Sequence, residues 1–474
     1  MKTKLLSFLL IIFLCGCNFS SKDTTLEEVP IKTPSEIENF TFPSDSFVDN
    51  SPSENYESKR GICYNVLSEN QINLLSGKNV SWAYNWGKTS ENPYIDSNEK
   101  LTYAPMFWGG ASDEDIEIVR NYIKANPSVK YILGFNEPNM GNAQGGCAML
   151  PSTAAALWPK LEALAEECNV ALVSPAMTYS GYNFGTEENE IIYGTPESWL
   201  DEFISEYKKN NEGKEPRMDY IALHSYMAWP SAIIWYCENY AKMYNKPILL
   251  TEFCAWHDEG VPITENWQAQ KLAQKIEAMD KNPYIAGYAW FKADGTVNER
   301  PWNSLFTENN ENLSLCGLIY QHLGSNDVNK WFEENKGIPA VSYISSSNYD
   351  MEKGKTADDG EKFENPLEFE KSTDSESQKQ VPLIITNFKK NDYMNYQIEV
   401  SETGMYDLIF RYSSTKDKYL KINTEIFNFK STAGKWKTYK ISIKLKKGQQ
   451  ILKVQSNGSD TGLNLAWLCF KKSD

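Results

Sequence analysis

Two glutamates each come directly after a short apolar run: Glu137 follows residues 131–135, and Glu252 follows Ile248-Leu249-Leu250. A carboxylate just past a buried strand is costly unless it is partnered or functional. Either glutamate alone could cap a helix or form a structural salt bridge, but two in the same context favour a catalytic pair. Such pairs hydrolyse glycosidic bonds: one carboxyl protonates the leaving oxygen, and in retaining enzymes a second, about 5 Å away, is the nucleophile.

The elements that would position this pair alternate along the chain. Apolar runs predict strands at 61–64, 80–86, 101–108, 131–136, 171–176, 220–226, 248–252 and 285–291. Helical periodicity predicts helices between them, for example 112–125, 152–167, 197–208, 231–244 and 266–280. Apolar strands separated by helices imply a parallel sheet, and eight such units fit a (β/α)₈ TIM barrel. A doubly wound open sheet is the alternative, but no GxGxxG follows the first strand.

The barrel hypothesis places the active site at the carboxyl ends of the strands. The unusual residues cluster there: Trp86, Trp108, Asn136, Glu137, His224, Tyr226, Glu252 and Trp290. The chain has 14 Trp, 27 Tyr and 21 Phe. These aromatics predict either a tryptophan-rich core or a cleft whose rings stack on the apolar faces of sugars.

Several segments carry a family resemblance. They are Ser81-Trp82-Ala83-Tyr84-Asn85-Trp86, 104–109 (APMFWG), 134–139 (GFNEPN) and 172–176 (LVSPA). Together they resemble glycoside hydrolase family 128, which comprises β-1,3-glucanases on a barrel scaffold. The resemblance covers roughly Arg60 to His322.

The resemblance implies a role for each matching residue. Glu137 matches the general acid/base and Glu252 the nucleophile of a retaining mechanism. Asn136 matches a residue that binds a sugar hydroxyl, and Tyr226 one that orients the nucleophile. His224 would line the same floor, although a hydrogen-bonded core histidine is the alternative. The resemblance also implies Trp290 as the platform under the cleaved sugar, with walls from Trp82, Trp86 and Trp108.

The N-terminus reads as a targeting segment. Lys2 and Lys4 precede an apolar run, residues 5–14, which is too short to span a bilayer. Leu14-Cys15-Gly16-Cys17 then resembles a bacterial lipobox, so residues 1–17 predict a lipoprotein signal with Cys17 acylated. An ordinary signal peptide is the alternative. Polar residues 18–58 predict a flexible acidic tether. We expect a location at the bacterial cell surface or outer membrane.

The catalytic barrel is predicted to span residues 59–325, and the pattern then changes to short alternating strands. Residues 337–474 predict an all-β sandwich, and segments such as Trp436-Lys437-Thr438-Tyr439 and 463–468 (LNLAWL) resemble family 6 carbohydrate-binding modules. That resemblance implies a sugar site containing Asn464 with Trp436 or Tyr439. The alternative is a sandwich that binds nothing.

The net charge of −16 argues against nucleic acid, whose phosphates require basic residues. It equally disfavours a basic membrane patch, so we expect contact with the membrane through the lipid anchor only. Cys and His spacings predict no metal site, and the two-carboxylate mechanism needs no cofactor.

The leading hypothesis is therefore a retaining hydrolase of β-1,3-glucan, acting as a monomer on the polysaccharide or its oligosaccharides. One alternative is a surface glycan-binding protein on an inactive barrel. The other is the same mechanism acting on a different β-glucan.

Overall fold

The computed structural model describes residues 30–38, 40, 42, 46–49, 51–77, 79–186, 188–256, 262–295, 302–324, 326–347, 367–457 and 462–473. The predicted signal segment, including Cys17, and the first part of the predicted tether lie outside these residues. Within the described ranges, no helix combines the length and the apolar character needed to cross a membrane.

Strands and helices alternate between residues 60 and 322. The strands are β3 (Arg60–Cys63), β4 (Val80–Tyr84), β5 (Thr102–Tyr103), β6 (Tyr131–Ile132), β7 (Ala171–Leu172), β8 (Ile221–Ser225), β9 (Ile248–Phe253) and β10 (Ile285–Trp290). The helices are α1 (Glu69–Leu75), α2 (Pro93–Asp96), α3 (Asp113–Ala125), α4 (Pro151–Cys168), α5 (Pro196–Asn210), α6 (Pro230–Tyr244), α7 (Glu265–Lys281) and α8 (Leu315–His322). A 3₁₀ turn covers Asn142–Gln144. Each of the eight predicted strands overlaps one of these strands.

All strand pairings in this region are parallel. Six strands form a sheet in the order β5-β4-β3-β10-β9-β8, and β6 pairs with β7. Single parallel bridges extend these pairings, joining Met106 to Leu133 and Val173 to Tyr220. Thus β6 and β7 lie between β5 and β8, while the last strand pairs with the first. The predicted mixed α/β class is confirmed.

Local sequence explains where the helices begin and end. Ser112 and Asp115 form a reciprocal capping box at the start of α3, which satisfies two backbone N–H groups. Pro230 occupies the first turn of α6, where a missing N–H costs nothing. Helices α4 and α6 end at Asn169 and Asn245, both in the left-handed conformation that asparagine tolerates.

A buried ion pair closes the amino-terminal side of the strands. The Arg60 guanidinium is fully buried and lies 2.8 Å from Asp280. Arg60 also donates to the carbonyls of Tyr320, Leu323 and Gly324, while the Tyr288 hydroxyl donates to Asp280. This network ties β3, β10, α7 and the end of α8 together, so its role is structural.

The C-terminal region contains only strands among its described residues. They are β11 (Ile338–Pro339), β12 (Ser345–Ser346), β13 (Glu368–Lys371), β14 (Leu383–Thr386), β15 (Tyr393–Val400), β16 (Gly404–Ser414), β17 (Lys418–Ile422), β18 (Glu425–Phe429), β19 (Lys437–Leu445), β20 (Gly448–Ser456) and β21 (Leu463–Lys472). They form two mostly antiparallel sheets, and Phe410 of one sheet contacts Phe429 of the other with ring centroids 5.3 Å apart. The predicted β-rich region is confirmed.

The two regions meet at a polar contact on α7. Glu277, only 3% exposed, accepts hydrogen bonds from the Ser346 hydroxyl (2.7 Å) and from the Tyr343 hydroxyl. Gln270 on the same helix donates to the carbonyl of Phe369. A buried carboxylate with two donors is a specific contact, because leaving it unpaired would be costly.

The predicted tether differs from the structure in its second half. Strands β1 (Ile31–Lys32) and β2 (Ser35–Glu36) pair with β18 and β19, one in each C-terminal sheet. The rings of Phe40, Phe42 and Phe47 then pack against Trp467 at centroid distances of 5.1 to 6.0 Å. We call residues 30–49 the N-terminal arm. The arm carries apolar residues spaced through a polar stretch, and a free tether would lack them.

Removing this arm is expected to destabilise the C-terminal region. A variant that begins at Ser58 loses three phenylalanines that cover Trp467, so the free energy of unfolding should fall by about 4 kcal/mol. The measurement is urea unfolding followed by tryptophan fluorescence, with a variant that begins at Pro30 as the control. Equal unfolding midpoints for the two variants would show that the arm contributes no stability.

Candidate active site

The carboxyl ends of the parallel strands open on a cleft of about 770 Å³. Seven of the predicted site residues line it: Trp86, Trp108, Asn136, Glu137, His224, Tyr226 and Glu252. Each lies at or just beyond the end of a strand, so the strands bring together residues that are far apart in the sequence.

Glu137 and Glu252 face each other across the floor of the cleft. Their side chains, with His224, each offer one atom within 4.8 Å of the others. Glu137 is 5% exposed and Glu252 4% exposed. In retaining glycosidases the two carboxyl groups lie about 5 Å apart, whereas inverting enzymes separate them by about 6.5–9.5 Å to admit a water. With one oxygen of each carboxyl within 4.8 Å of the other, the pair is close enough to act on one glycosidic bond.

Glu252 is surrounded by hydrogen-bond donors. The indole Nε1 of Trp86 donates to its Oε1 at 2.8 Å, the Tyr226 hydroxyl donates to its Oε2, and the Tyr84 hydroxyl lies 3.4 Å from its Oε1. These contacts fix the orientation of the carboxylate. Burial, followed by the charges of Glu252 and Glu137, raises the pKa of Tyr226 well above its ordinary value. Tyr226 therefore stays protonated and keeps donating.

His224 lies between the two carboxylates. Its Nδ1 is 2.8 Å from Oε1 of Glu137 and 3.4 Å from Oε2 of Glu252, and its Nε2 is 2.9 Å from the Thr251 hydroxyl. Burial lowers the pKa of His224, but the charges of Glu252 and Glu137 outweigh burial, so the net shift is upward. In its protonated form the imidazolium donates to Glu137 and offsets part of the charge of the pair.

This raised pKa makes stability depend on pH. A histidine whose pKa is higher in the folded state stabilises the fold fully below its unfolded pKa, ordinarily 6.5, and this contribution is lost as the pH rises through the folded pKa. We therefore expect the difference in unfolding free energy between the native chain and His224→Gln to shrink as the pH rises through the pKa of His224 in the folded protein. Urea titrations at several pH values measure it. A difference that stays constant with pH would rule out a charged His224.

Backbone hydrogen bonds hold Asn136 and Glu137 in place beyond the end of β6. The amide N–H groups of Asn136 and Glu137 donate to the carbonyls of Trp108 and Ala176, which ties this segment to both neighbouring strands. Glu137 has φ +43°, a left-handed conformation that non-glycine residues adopt at a cost. Gly146 packs so closely that a Cβ there would lie 2.5 Å from the carbonyl oxygen of Glu137. The loop after Glu137 therefore needs glycine at position 146.

Asn136 presents an acceptor at the cleft. Its Nδ2 donates to the carbonyl of Gly145 at 3.1 Å, which links it to the loop that follows the acid. Its Oδ1 is buried without a hydrogen-bond partner among the described residues. An unpaired buried acceptor is costly, so a ligand hydroxyl that donates to it would recover this cost.

An aromatic wall extends from Glu252. Trp86, Phe291, Tyr226 and Trp256 contact one another in sequence, with edge-to-face rings 5.3 to 5.7 Å apart. Trp108, 40% exposed, also lines the cleft. Phe291 and Trp256 were missing from the prediction. Their signal in the sequence was position, since each is an aromatic residue just beyond the end of a strand.

The structure corrects one predicted platform, Trp290, and one predicted wall, Trp82. Trp290 is fully buried, donates its indole N–H to the carbonyl of Asn303 at 2.7 Å, and does not line the cleft. Successive side chains along a strand point to opposite sides, so the next residue, Phe291, faces the cleft instead. Trp82 is 4% exposed and lies beside Gly61 and Tyr131 in the core, because it occupies the middle of β4 rather than its end.

The predicted sugar-site residues of the C-terminal region have separate partners. Trp436 donates to the Thr373 hydroxyl, the Tyr439 hydroxyl donates to Glu36 of the N-terminal arm, and Asn464 bonds to Asn387 and Ser413. Tyr439 is only 7% exposed. Sugar binding by this region stays a prediction. Tyr439 does not suit the aromatic of such a site, because the arm covers it.

Glu137, His224 and Glu252 are also close enough to hold a cation. Their coordinating atoms already make hydrogen bonds, however. Trp86 and Tyr226 donate to Glu252, and both ring nitrogens of His224 are engaged by Glu137 and Thr251. The donor set therefore fits a hydrogen-bonded carboxylate pair better than a metal centre.

Two close carboxylates at the floor of an aromatic cleft are the arrangement used by enzymes that hydrolyse glycosidic bonds. The chain belongs to the family described as glycosyl hydrolase catalytic core, whose model matches residues 61–320. It is a glycoside hydrolase. A comparison with curated protein sequences gives no match.

Among solved structures, the chain is similar to a family 128 (subgroup II) endo-β-1,3-glucanase from Pseudomonas viridiflava. The identity is 30%, the match covers 56% of this chain and 98% of that one, and the TM-score is 0.47. A subgroup II enzyme from Sorangium cellulosum gives 28% identity, 55% and 97% coverage, and a TM-score of 0.46. A subgroup I enzyme from Amycolatopsis mediterranei, in complex with laminaritriose, gives 22%, 56% and 99%, and 0.44.

Proposed function

We propose that this protein hydrolyses β-1,3-glucan with retention of configuration at the anomeric carbon. The observation that carries the proposal is the approach of Glu137 and Glu252, one oxygen of each within 4.8 Å of the other, which suits direct attack by one carboxylate.

The contacts of the two glutamates support one role for each. Glu252, oriented by Trp86 and Tyr226, attacks the anomeric carbon while the glycosidic C–O bond breaks. Glu137 gives its proton to the departing oxygen, which leaves a glycosyl ester on Glu252. A water molecule then attacks the same carbon, loses its proton to Glu137 and releases Glu252. The charge of His224 is well placed to compensate the extra negative charge whenever both glutamates are ionised.

The substrate class rests on sequence and on charge. The segments around Trp82, Trp108 and Glu137 resemble family 128 in order, and the cleft combines aromatic faces with polar groups, as sugar binding requires. A chain with a net charge of −16 suits a neutral polymer better than an acidic one.

We further propose that the scaffold is a closed (β/α)₈ barrel. The cyclic order of parallel pairings, with β10 beside β3 and the β6–β7 pair between β5 and β8, supports closure. The lipobox at Cys17 supports anchoring at the bacterial surface. With the arm held on the C-terminal region, residues 18–29 would be the link between the lipid and the folded protein.

The test is release of reducing ends from a panel of polymers by a variant that begins at Asn18, which lacks the signal and the acylated cysteine. We expect release from linear β-1,3-glucan and little from β-1,4-glucan. Release from mixed-linkage glucan alone would move the proposal to that polymer. Binding to glucan without any hydrolysis would instead favour a glycan-binding protein.

A further inference from the structure

A second, larger groove lies where the catalytic region meets the C-terminal strands. It encloses about 1,210 Å³ and is lined by residues that include Ser68, Gln71, Trp302, Phe306, Asn310 and Lys371. We call it the junction groove. Its walls come from residues 66–68 and 71, residues 294–295, residues 302–314, the start of α7 and strand β13.

The junction groove has the chemistry of a sugar site. Trp302 is 41% exposed and offers a large apolar face, and Phe306, 3% exposed, lines the same groove. The side-chain amides of Asn310 and Asn312, which also line it, make no hydrogen bonds to other described residues, so they can donate to and accept from a ligand. An aromatic face with several amides nearby suits a sugar ring, whose two faces are apolar and whose edge carries hydroxyls.

The position of Trp302 is fixed by its surroundings. Its backbone has φ +60°, an unfavourable conformation for a bulky residue, and its carbonyl accepts a hydrogen bond from the thiol of buried Cys316 at 3.5 Å. Across the groove, Lys371 of β13 lies 3.7 Å from Glu265, whose carboxylate also accepts from the N–H of Leu315 at the start of α8. Both walls are therefore attached to helices of the catalytic region.

The groove adjoins the active-site cleft. Asn65 lines the cleft and Asp294 lines the groove, and the backbone N–H groups of Asn65 and Val66 donate to the Asp294 carboxylate at 2.9 to 3.1 Å. These hydrogen bonds join a residue of the cleft wall directly to a residue of the groove wall. A polymer that occupies the cleft could continue over Asn65 into the groove.

We infer that the junction groove binds a distal part of the same β-glucan chain that is cleaved between Glu137 and Glu252. This inference rests on the proposed function and adds a binding site to it. The acidic groups of the groove, Glu265, Asp294 and Glu308, outnumber its one lysine, Lys371, and disfavour a polyanionic polymer there. A long chain would gain contacts at Trp302 that a short oligosaccharide cannot reach.

The test compares Trp302→Ala with the native chain on long β-1,3-glucan and on laminaritriose. Loss of one stacking face should lower kcat/KM on the polymer by about three- to tenfold and leave kcat/KM on laminaritriose unchanged. The matched control is Trp235→Ala, which removes a 54% exposed tryptophan on α6 that lines neither opening. A pull-down with insoluble β-1,3-glucan in a Glu252→Gln background should show the same loss of affinity.

Each other outcome overturns the inference in a recognisable way. If Trp302→Ala matches the native chain on both substrates, the groove binds no glucan, while the proposed function stands. If it loses activity equally on both, Trp302 supports either the fold or the active site. A lowered unfolding midpoint would then indicate the fold, and an unchanged midpoint the active site. If the native chain cleaves neither substrate, the proposed function fails and glucan is removed as the occupant.

Discussion

Replacement of Glu252 by alanine is expected to lower kcat on β-1,3-glucan by a factor on the order of 10⁴ or more, because it removes the nucleophile that forms the glycosyl intermediate. The variant should still bind the polymer, since Trp108, Asn136 and the rest of the cleft are unchanged. Reducing-end release and a glucan pull-down measure the two effects separately.

Added azide provides the sharper readout for this variant. The side chain of Glu252→Ala leaves space beside the anomeric carbon, so azide can attack from the nucleophile's side and restore turnover as a glycosyl azide. The control is Glu166→Ala, which alters an exposed glutamate on α4. Activity of Glu252→Ala within about tenfold of the native chain would exclude Glu252 as the nucleophile.

Replacement of Glu137 by glutamine should have the second-largest effect and a different signature. Loss of a general acid lowers the rate by about 10²- to 10⁴-fold when the leaving group needs a proton. The loss of rate should be much smaller for the first step with an aryl β-laminaribioside, because its phenolate leaves without being protonated. Burst kinetics with this substrate would show the glycosyl intermediate accumulating, because Glu137 also activates the water that hydrolyses this intermediate in the second step.

Comparison of the two substrates separates an acid/base role of Glu137 from a role in binding. An equal loss on glucan and on the aryl substrate would contradict the acid/base role and would point to a role of Glu137 in binding alone.

Much of the fold follows from local patterns in the sequence. Apolar runs such as 248–250 give strands because they must be buried on both faces, and Ser112 with Asp115 fixes a helix start through its own hydrogen bonds. The two glutamates were found because a carboxylate directly after such a run is unusual. Their approach to each other depends on the order of strands, which the repeating pattern also predicts.

What the sequence did not reveal depends on side-chain direction and on distant contacts. Phe291 lines the cleft where Trp290 was expected, which is a shift of one residue. When both faces of a strand are apolar, the sequence does not tell which alternate side chains face the cleft. The arm was read as a tether because Phe40, Phe42 and Phe47 are separated by polar residues, and their partner Trp467 lies more than 400 positions away. Likewise, nothing near His224 in the sequence indicates its position between two carboxylates.

The stereochemistry of hydrolysis tests the central claim most directly. Laminari-oligosaccharides would be cleaved by the variant that begins at Asn18, and proton NMR would follow the anomeric signals before mutarotation mixes them. Retention predicts that the β-anomer of the new reducing end appears first and the α-anomer grows in later. The α-anomer appearing first would contradict a mechanism in which Glu252 attacks directly, despite the short distance between Glu252 and Glu137.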